Sequence, residues 1–173
     1  MPVPPSSQTD GPEYGYSRVT DKSDYQFMLL ALELARRAAA EGETPVGAVI
    51  VRNGVVIGRG YNRVEADQDP TAHGELIALR EAARQAGDWR LPEATIYVTL
   101  EPCIMCMAAL VLARIRRLVF GARDLRWGAV GSLFDFSHDP RINHELEVVS
   151  GVLEEESAAL LQEFYRNVRA NKR

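Results

Sequence analysis

The chain has 173 residues, 46% of them apolar and 25% charged, which suits an ordinary soluble globular protein with one domain and a sizeable core. It holds no run of about 18 apolar residues, so no membrane span is expected, and its net charge of −4 argues against a protein that coats nucleic acid through bulk charge. Its two cysteines, Cys103 and Cys106, make no disulfide framework, so a reducing, cytoplasmic setting is expected.

Residues 1–22, MPVPPSSQTDGPEYGYSRVTDK, lack the basic and apolar regions of a signal peptide. Rich in Pro, Ser and Gly, they read as a disordered arm ahead of a single domain over 23–173. DYQFMLLALELARRAAAEG (24–42) is built from good helix formers, with Gly42 as a stop signal. PVGAVIV (45–51) and VVIGRGY (55–61) are β-rich runs around Asn53-Gly54, a two-residue hairpin signal. DPTAHGELIALREAARQAG (69–87) has apolar residues near the helical period. ATIYVTL (94–100) reads as a buried strand, and PCIMCMAALVLARI (102–115) as a helix entered through proline. RLVFGA (117–122) and ELEVV (145–149) are further strands, and LEEESAALLQEFYRNVRANK (153–172) is an amphipathic terminal helix whose Leu153, Leu160, Leu161 and Phe164 are expected to cover the sheet. The alternation predicts an α/β sheet layered with helices.

Charge is unevenly spread. Arg114, Arg116, Arg117, Arg123 and Arg126 face only Asp124 within 114–126, and Arg166, Arg169, Lys172 and Arg173 follow Glu163 in the tail. Each arginine alone reads as a solvated side chain. Two basic clusters on an acidic chain point toward a polyanionic partner.

The cysteines open a helix at CxxC spacing, where unpaired N–H groups and the helix dipole favour thiolates. Two cysteines cannot close a structural zinc site. A third ligand must come from His73, His138 or His144, and His73 stands out because it also opens a helix. Glu75 follows two residues on. Positions i and i+2 of an ideal helix point about 200° apart, so the two converge only if they straddle the helix N-terminus. Three protein ligands leave a fourth position for water, the mark of a catalytic zinc, and a carboxylate that does not ligate can move that water's proton. Singly, a CxxC is also a redox pair or a packed turn, and an HxE is also helix surface. Together they form the H-x-E…P-C-x-x-C signature of zinc deaminases.

Beyond the zinc motifs, TPVGAVIV (44–51), GYNR (60–63), DPTAHGE (69–75), ATIYVTLEPCIMC (94–106), RIRRLVFGARDLRWGAVGSLFD (114–135) and INHELEVVSGVLEEESAALLQEFYR (142–166) resemble the tRNA-specific adenosine deaminases, which make inosine at the anticodon wobble position. The resemblance implies a cytidine deaminase-like three-layer α/β/α sandwich with a five-stranded mixed sheet, working as a homodimer. It implies one Zn²⁺ per subunit on His73, Cys103 and Cys106, with Glu75 as proton shuttle. It places Asn62 and Gly74 at the flipped nucleotide, Arg123 and Asp124 at the anticodon loop, and Phe164, Tyr165 and Arg166 at the RNA end of the pocket. The family usually reads HAE where this chain reads His73-Gly74-Glu75, which implies a looser pocket floor. Asn62 also suits a strand end, and Phe164 and Tyr165 also suit core packing.

The expected reaction is hydrolysis of adenosine to inosine at the wobble position of a tRNA anticodon, whose loop is already single-stranded and so lowers the cost of extruding the base. Two rivals stand beside it. A deaminase of a free base or nucleoside, such as guanine or cytosine, needs no basic clusters. A non-catalytic RNA-binding subunit needs no Glu75.

Overall fold

The computed structural model describes residues 21–171. Of the expected arm, residues 1–20 lie outside the described residues, as do Lys172 and Arg173. Residues 21 and 22 belong to the domain: Asp21 caps helix α1 (Lys22–Ala40), and its backbone N–H donates to the Asp24 carboxylate at 3.3 Å. Good helix formers carry α1 to Glu41, and Gly42, at φ +83°, turns the chain out.

Strands β1 (Gly47–Arg52) and β2 (Val55–Tyr61) form the expected hairpin. Asn53 and Gly54 both have positive φ, 52° and 75°, the type I′ geometry that matches strand twist. A short helix α2 (Val64–Asp67), not foreseen from the sequence, follows β2. Helix α3 (Gly74–Ala86) starts five residues later than its pattern predicts, because 69–73 is a turn held by Asp69, whose carboxylate accepts the Thr71 N–H at 2.8 Å. Strand β3 (Thr95–Leu100) leads to helix α4 (Ile104–Leu112). Pro102 lies ahead of that helix rather than in its first turn, and Cys103 is the N-cap. Strands β4 (Arg117–Ala122) and β5 (Glu147–Ser150) and helix α5 (Glu154–Asn171) complete the chain.

The sheet order is β2-β1-β3-β4-β5. β1 is antiparallel to β2 and β3, while β3, β4 and β5 run parallel, the expected mixed sheet. The central strands bury both faces, since alternate residues point opposite ways. Ala48, Ile50, Ile96, Val98, Leu118 and Phe120 pack under α3 and α4. Val49, Val51, Tyr97, Val119 and Val149 pack against α1 and the start of α5. Three layers result. In α5, Ser157 is buried, Leu160, Leu161 and Phe164 are half-buried, and Leu153 lies in the turn before it. The helix therefore leans on the sheet with its first turns and borders the cleft with its last ones. No described helix is long and apolar enough to cross a membrane.

Register brings the functional loops to one end. Gly47 pairs with Tyr61, Ala48 with Val98, and Leu100 with Ala122. The chain before β1 and the turns leaving β2, β3 and β4 thus share a rim, where open α/β sheets bind ligands.

Candidate active site

His73 is the N-cap of α3, with extended backbone at φ −79° and ψ 148°, and Cys103 is the N-cap of α4, at φ −73° and ψ 172°. The two helix N-termini meet at the rim. The metal-binding donors of His73, Cys103 and Cys106 lie within 4.8 Å of one another. His73 Nδ1 is 3.7 Å from Cys103 Sγ and 3.5 Å from Cys106 Sγ. With Zn–N near 2.0–2.1 Å and Zn–S near 2.3 Å, a tetrahedral zinc sets such ligand pairs about 3.6 Å apart. Donor types and spacing fit zinc. His138 and His144 are engaged elsewhere: His138 Nδ1 is 2.9 Å from Glu145 and His144 Nε2 is 2.7 Å from the Ile115 carbonyl.

The electrostatics prepare the thiols for a cation. Cys103 is pulled down to about 4, first by its hydrogen bond with Cys106, against burial and with help from His73. Cys106 keeps its proton longer, because it shares that bond and is buried. His73 is raised, chiefly by Cys103.

Glu75 sits in the first turn of α3, 3% exposed. Its Oε2 is buried without a hydrogen-bond partner among the described residues. Burial raises its carboxyl above the ordinary range, opposed by its own backbone N–H and by His73. As the i, i+2 offset requires, His73 and Glu75 straddle the helix start. A carboxylate oxygen left unsatisfied at a metal site fits a water or a reacting base.

These groups line a cleft of about 1050 Å³, together with Asn62, Asp124, Phe164 and Tyr165. Asn62 is buried, and its Oδ1 accepts the Gly74 N–H at 2.9 Å. It follows β2 directly, so it ends a strand and borders the cleft at once. Asp124 is half-buried, with Oδ1 accepting the N–H groups of Arg126 at 2.9 Å and Trp127 at 3.2 Å. Gly74 does not border the cleft, contrary to its expected place. A Cβ there would meet Tyr61 Cα at 3.1 Å, Val46 O at 3.2 Å and Gly60 O at 3.3 Å. The missing methyl lets the start of α3 approach the β1–β2 hairpin closely.

A second cavity, about 700 Å³, adjoins the first through Leu100, Asp124, Trp127 and Tyr165, and Arg123, Arg126, Arg166 and Arg169 border it. None of these four arginines is ion-paired within the described residues. Two more arginines of the 114–126 cluster serve the fold. Arg117 forks onto buried Asp24 at 2.6 and 2.9 Å, and Arg114 holds Asn143 at 2.9 Å.

Among the cleft residues that sequence reasoning missed are Glu43, Glu101 and Trp127. Glu43, buried, accepts the Glu65 and Ala66 N–H groups at 3.2 and 2.8 Å and so caps α2. Both acids stand directly beside a motif, Glu43 before TPVG, and Glu101 between the apolar run ATIYVTL and PC. That was the available signal, since carboxylates are almost never fully buried without partners.

Residues 21–122 match the family described as the cytidine and deoxycytidylate deaminase zinc-binding region. The chain is 49% identical over 160 residues to a tRNA-specific adenosine deaminase of Haemophilus influenzae, covering 91% of each protein. It is similar at a TM-score of 0.76 and 49% identity to a chain solved in studies of A-to-I editing by tRNA:A34 deaminases at the wobble position of transfer RNA, covering 79% of this chain and 99% of that one. It is also similar, at 0.69 and 25%, to a guanine deaminase from Nitrosomonas europaea, covering 86% of each.

Proposed function

The chain belongs to the tRNA-specific adenosine deaminases, within the cytidine and deoxycytidylate deaminase zinc-binding family, and from that premise we propose that it hydrolyses adenosine to inosine at the wobble position of a tRNA anticodon. One observation carries the reading. His73 and Cys103, which with the buried Cys106 form a zinc-spaced donor set, share one cleft with the unsatisfied carboxylate of Glu75, and that cleft adjoins a groove of arginines with no ion pair among the described residues.

His73, Cys103 and Cys106 hold one zinc per chain. When bound, the ion acts as a Lewis acid and lowers the pKa of water toward neutrality. Glu75 carries the protons. Its carboxylate takes one from the attacking water and delivers it to adenine N1 while oxygen adds at C6. It then carries the proton of the newly added hydroxyl to the amine, which leaves as ammonia while the C6 carbonyl forms, so that one water is consumed and one ammonia released. Burial favours this duty, because raising the carboxyl above its ordinary range makes the carboxylate a better proton acceptor. Asn62, with its oxygen fixed by Gly74, keeps its amide protons for the base. Phe164 and Tyr165, whose ring centroids lie 5.4 Å apart, offer faces for unstacked bases. Arg123, Arg126, Arg166 and Arg169 meet phosphates.

The deaminase domain begins at Asp21, two residues before its expected start, and acts as one unit. Leu125, 79% exposed, with Leu133 and Phe134, favours a homodimer, because exposed apolar clusters beside a site suit an interface. Two free thiols favour a reducing, cytoplasmic setting.

Deamination of free guanine is the second reading, favoured by the likeness to the guanine deaminase. An RNA anticodon stem-loop and free guanine, each incubated with the zinc-loaded protein, separate the two. Inosine at the wobble position with little ammonia from guanine supports the first reading, and the reverse overturns it.

A further inference from the structure

Glu101 lies between strand β3 and the Cys103 turn, 1% exposed. Its Oε1 accepts the N–H groups of Val130 at 3.0 Å and Ser132 at 3.1 Å, and its Oε2 accepts the Asp124 N–H at 3.0 Å and the Ser132 hydroxyl. One carboxylate thus gathers both ends of the 124–132 loop. The same loop is stitched to the metal turn, with Ala129 N–H donating to the Pro102 carbonyl at 2.9 Å and a bridge joining Cys103 to Gly128. Gly128 is required by this closeness, since a Cβ there would stand 2.5 Å from Glu101 Cδ and collide with the Asp124 carbonyl. Asp124 and Trp127, carried by the loop, border both cavities.

The geometry points to Glu101 as a positioning residue, one that sets the Asp124–Trp127 wall for RNA without taking part in the chemical step. The inference rests on the anticodon reading and extends it to a named determinant of substrate grip. A buried carboxylate with four donors has no substitute in glutamine, whose NH₂ confronts backbone N–H groups that then lose their acceptor. The wall shifts, while His73, Cys106 and Glu75 rest on α3 and α4. A small displacement of a binding wall reduces productive binding more than the reaction of what is bound.

The test compares wild type, Glu101→Gln and Ser132→Ala, full-length and zinc-loaded, on an anticodon stem-loop. Glu101→Gln is expected to raise KM by about tenfold or more, to hold kcat within about threefold, and to keep one zinc per chain. Ser132→Ala, which removes one donor and leaves the carboxylate, is expected to raise KM by a smaller factor, and it decides the matter if Glu101→Gln does not fold. Wild-type KM in a folded Glu101→Gln, or in Ser132→Ala when that variant decides, overturns the inference. So does loss of zinc or of kcat at unchanged KM, which assigns Glu101 to the metal turn. If wild type itself does not turn over the stem-loop, the anticodon reading fails separately. Acrylamide quenching of Trp127 in a Trp89→Phe background then decides for Glu101: increased quenching in Glu101→Gln supports its hold on the wall, and unchanged quenching overturns it.

Discussion

Asn62 Oδ1 accepts the Gly74 backbone N–H at 2.9 Å, so the residue that ends β2 is fixed to the first turn of the helix that carries Glu75. Its oxygen is thereby committed, and no described acceptor takes its Nδ2 protons. Asn62→Asp keeps an acceptor for Gly74 but replaces the donor with a second acceptor. It is expected to keep zinc and the fold while lowering kcat/KM on the stem-loop by roughly 10²-fold or more, on the scale at which sites reject an unpaired polar group. Steady-state kinetics beside metal analysis check this. Near-normal kcat/KM in a folded Asn62→Asp shows that the base does not use that donor.

Gly74→Ala is expected to lower stability slightly. Alanine improves helix propensity by up to about 1 kcal/mol, less at a first turn. Against that, the new Cβ meets three backbone atoms at 3.1–3.3 Å, and overpacking typically costs about 1–3 kcal/mol. A thermal melt should show a fall of a few degrees with zinc retained. A higher melting temperature means that α3 moves away from the hairpin more easily than the close approach implies.

The Asp24–Arg117 pair predicts an acid-dependent stability. Burial pushes the Asp24 carboxyl up, but hydrogen bonds from Arg117 and Tyr97 outweigh it and leave it below 3.8. Its stabilisation is therefore fully present above about pH 4 and is lost as pH falls through the lower folded value. Asp24→Asn leaves Arg117 without its buried partner and should cost about 3–5 kcal/mol at pH 7. Urea melts at pH 7 and at pH 3 should show the gap between variant and wild type narrowing in acid. A gap independent of pH assigns the loss to packing.

The arginine groove predicts a salt signature. Arg166→Glu with Arg169→Glu should weaken stem-loop binding and flatten the log–log salt dependence by roughly 0.7 for each phosphate no longer neutralised. Both side chains are exposed, so the fold should hold. Wild-type affinity across several salt concentrations marks these arginines as solvated surface.

How far the sequence could be read depended on locality. Strand β2 and strand β4 have the bounds their β-rich runs predict, because turn residues and apolar runs are local signals. The zinc triad was legible too, since ligand types and helix starts are written in short motifs. Helix starts at His73 and Cys103 were placed too early, because Asp69 and Pro102 resemble helix openings and only tertiary hydrogen bonds distinguish a turn from a first coil. The fates of Arg117 and Arg123 were not legible: both lie in one basic run, yet Asp24, ninety-three positions from Arg117, claims the first. Glu101 was hidden for the same reason, its donors lying 23 to 31 positions away.

Glu75→Ala, assayed for wobble inosine in a single turnover with zinc measured on the same sample, tests the central claim most directly. A proton-carrying Glu75 predicts one zinc per chain, a wild-type melt, and a rate lower by about 10²–10⁴-fold or more, the range of a general acid–base group. A wild-type single-turnover rate in Glu75→Ala with its zinc in place contradicts it.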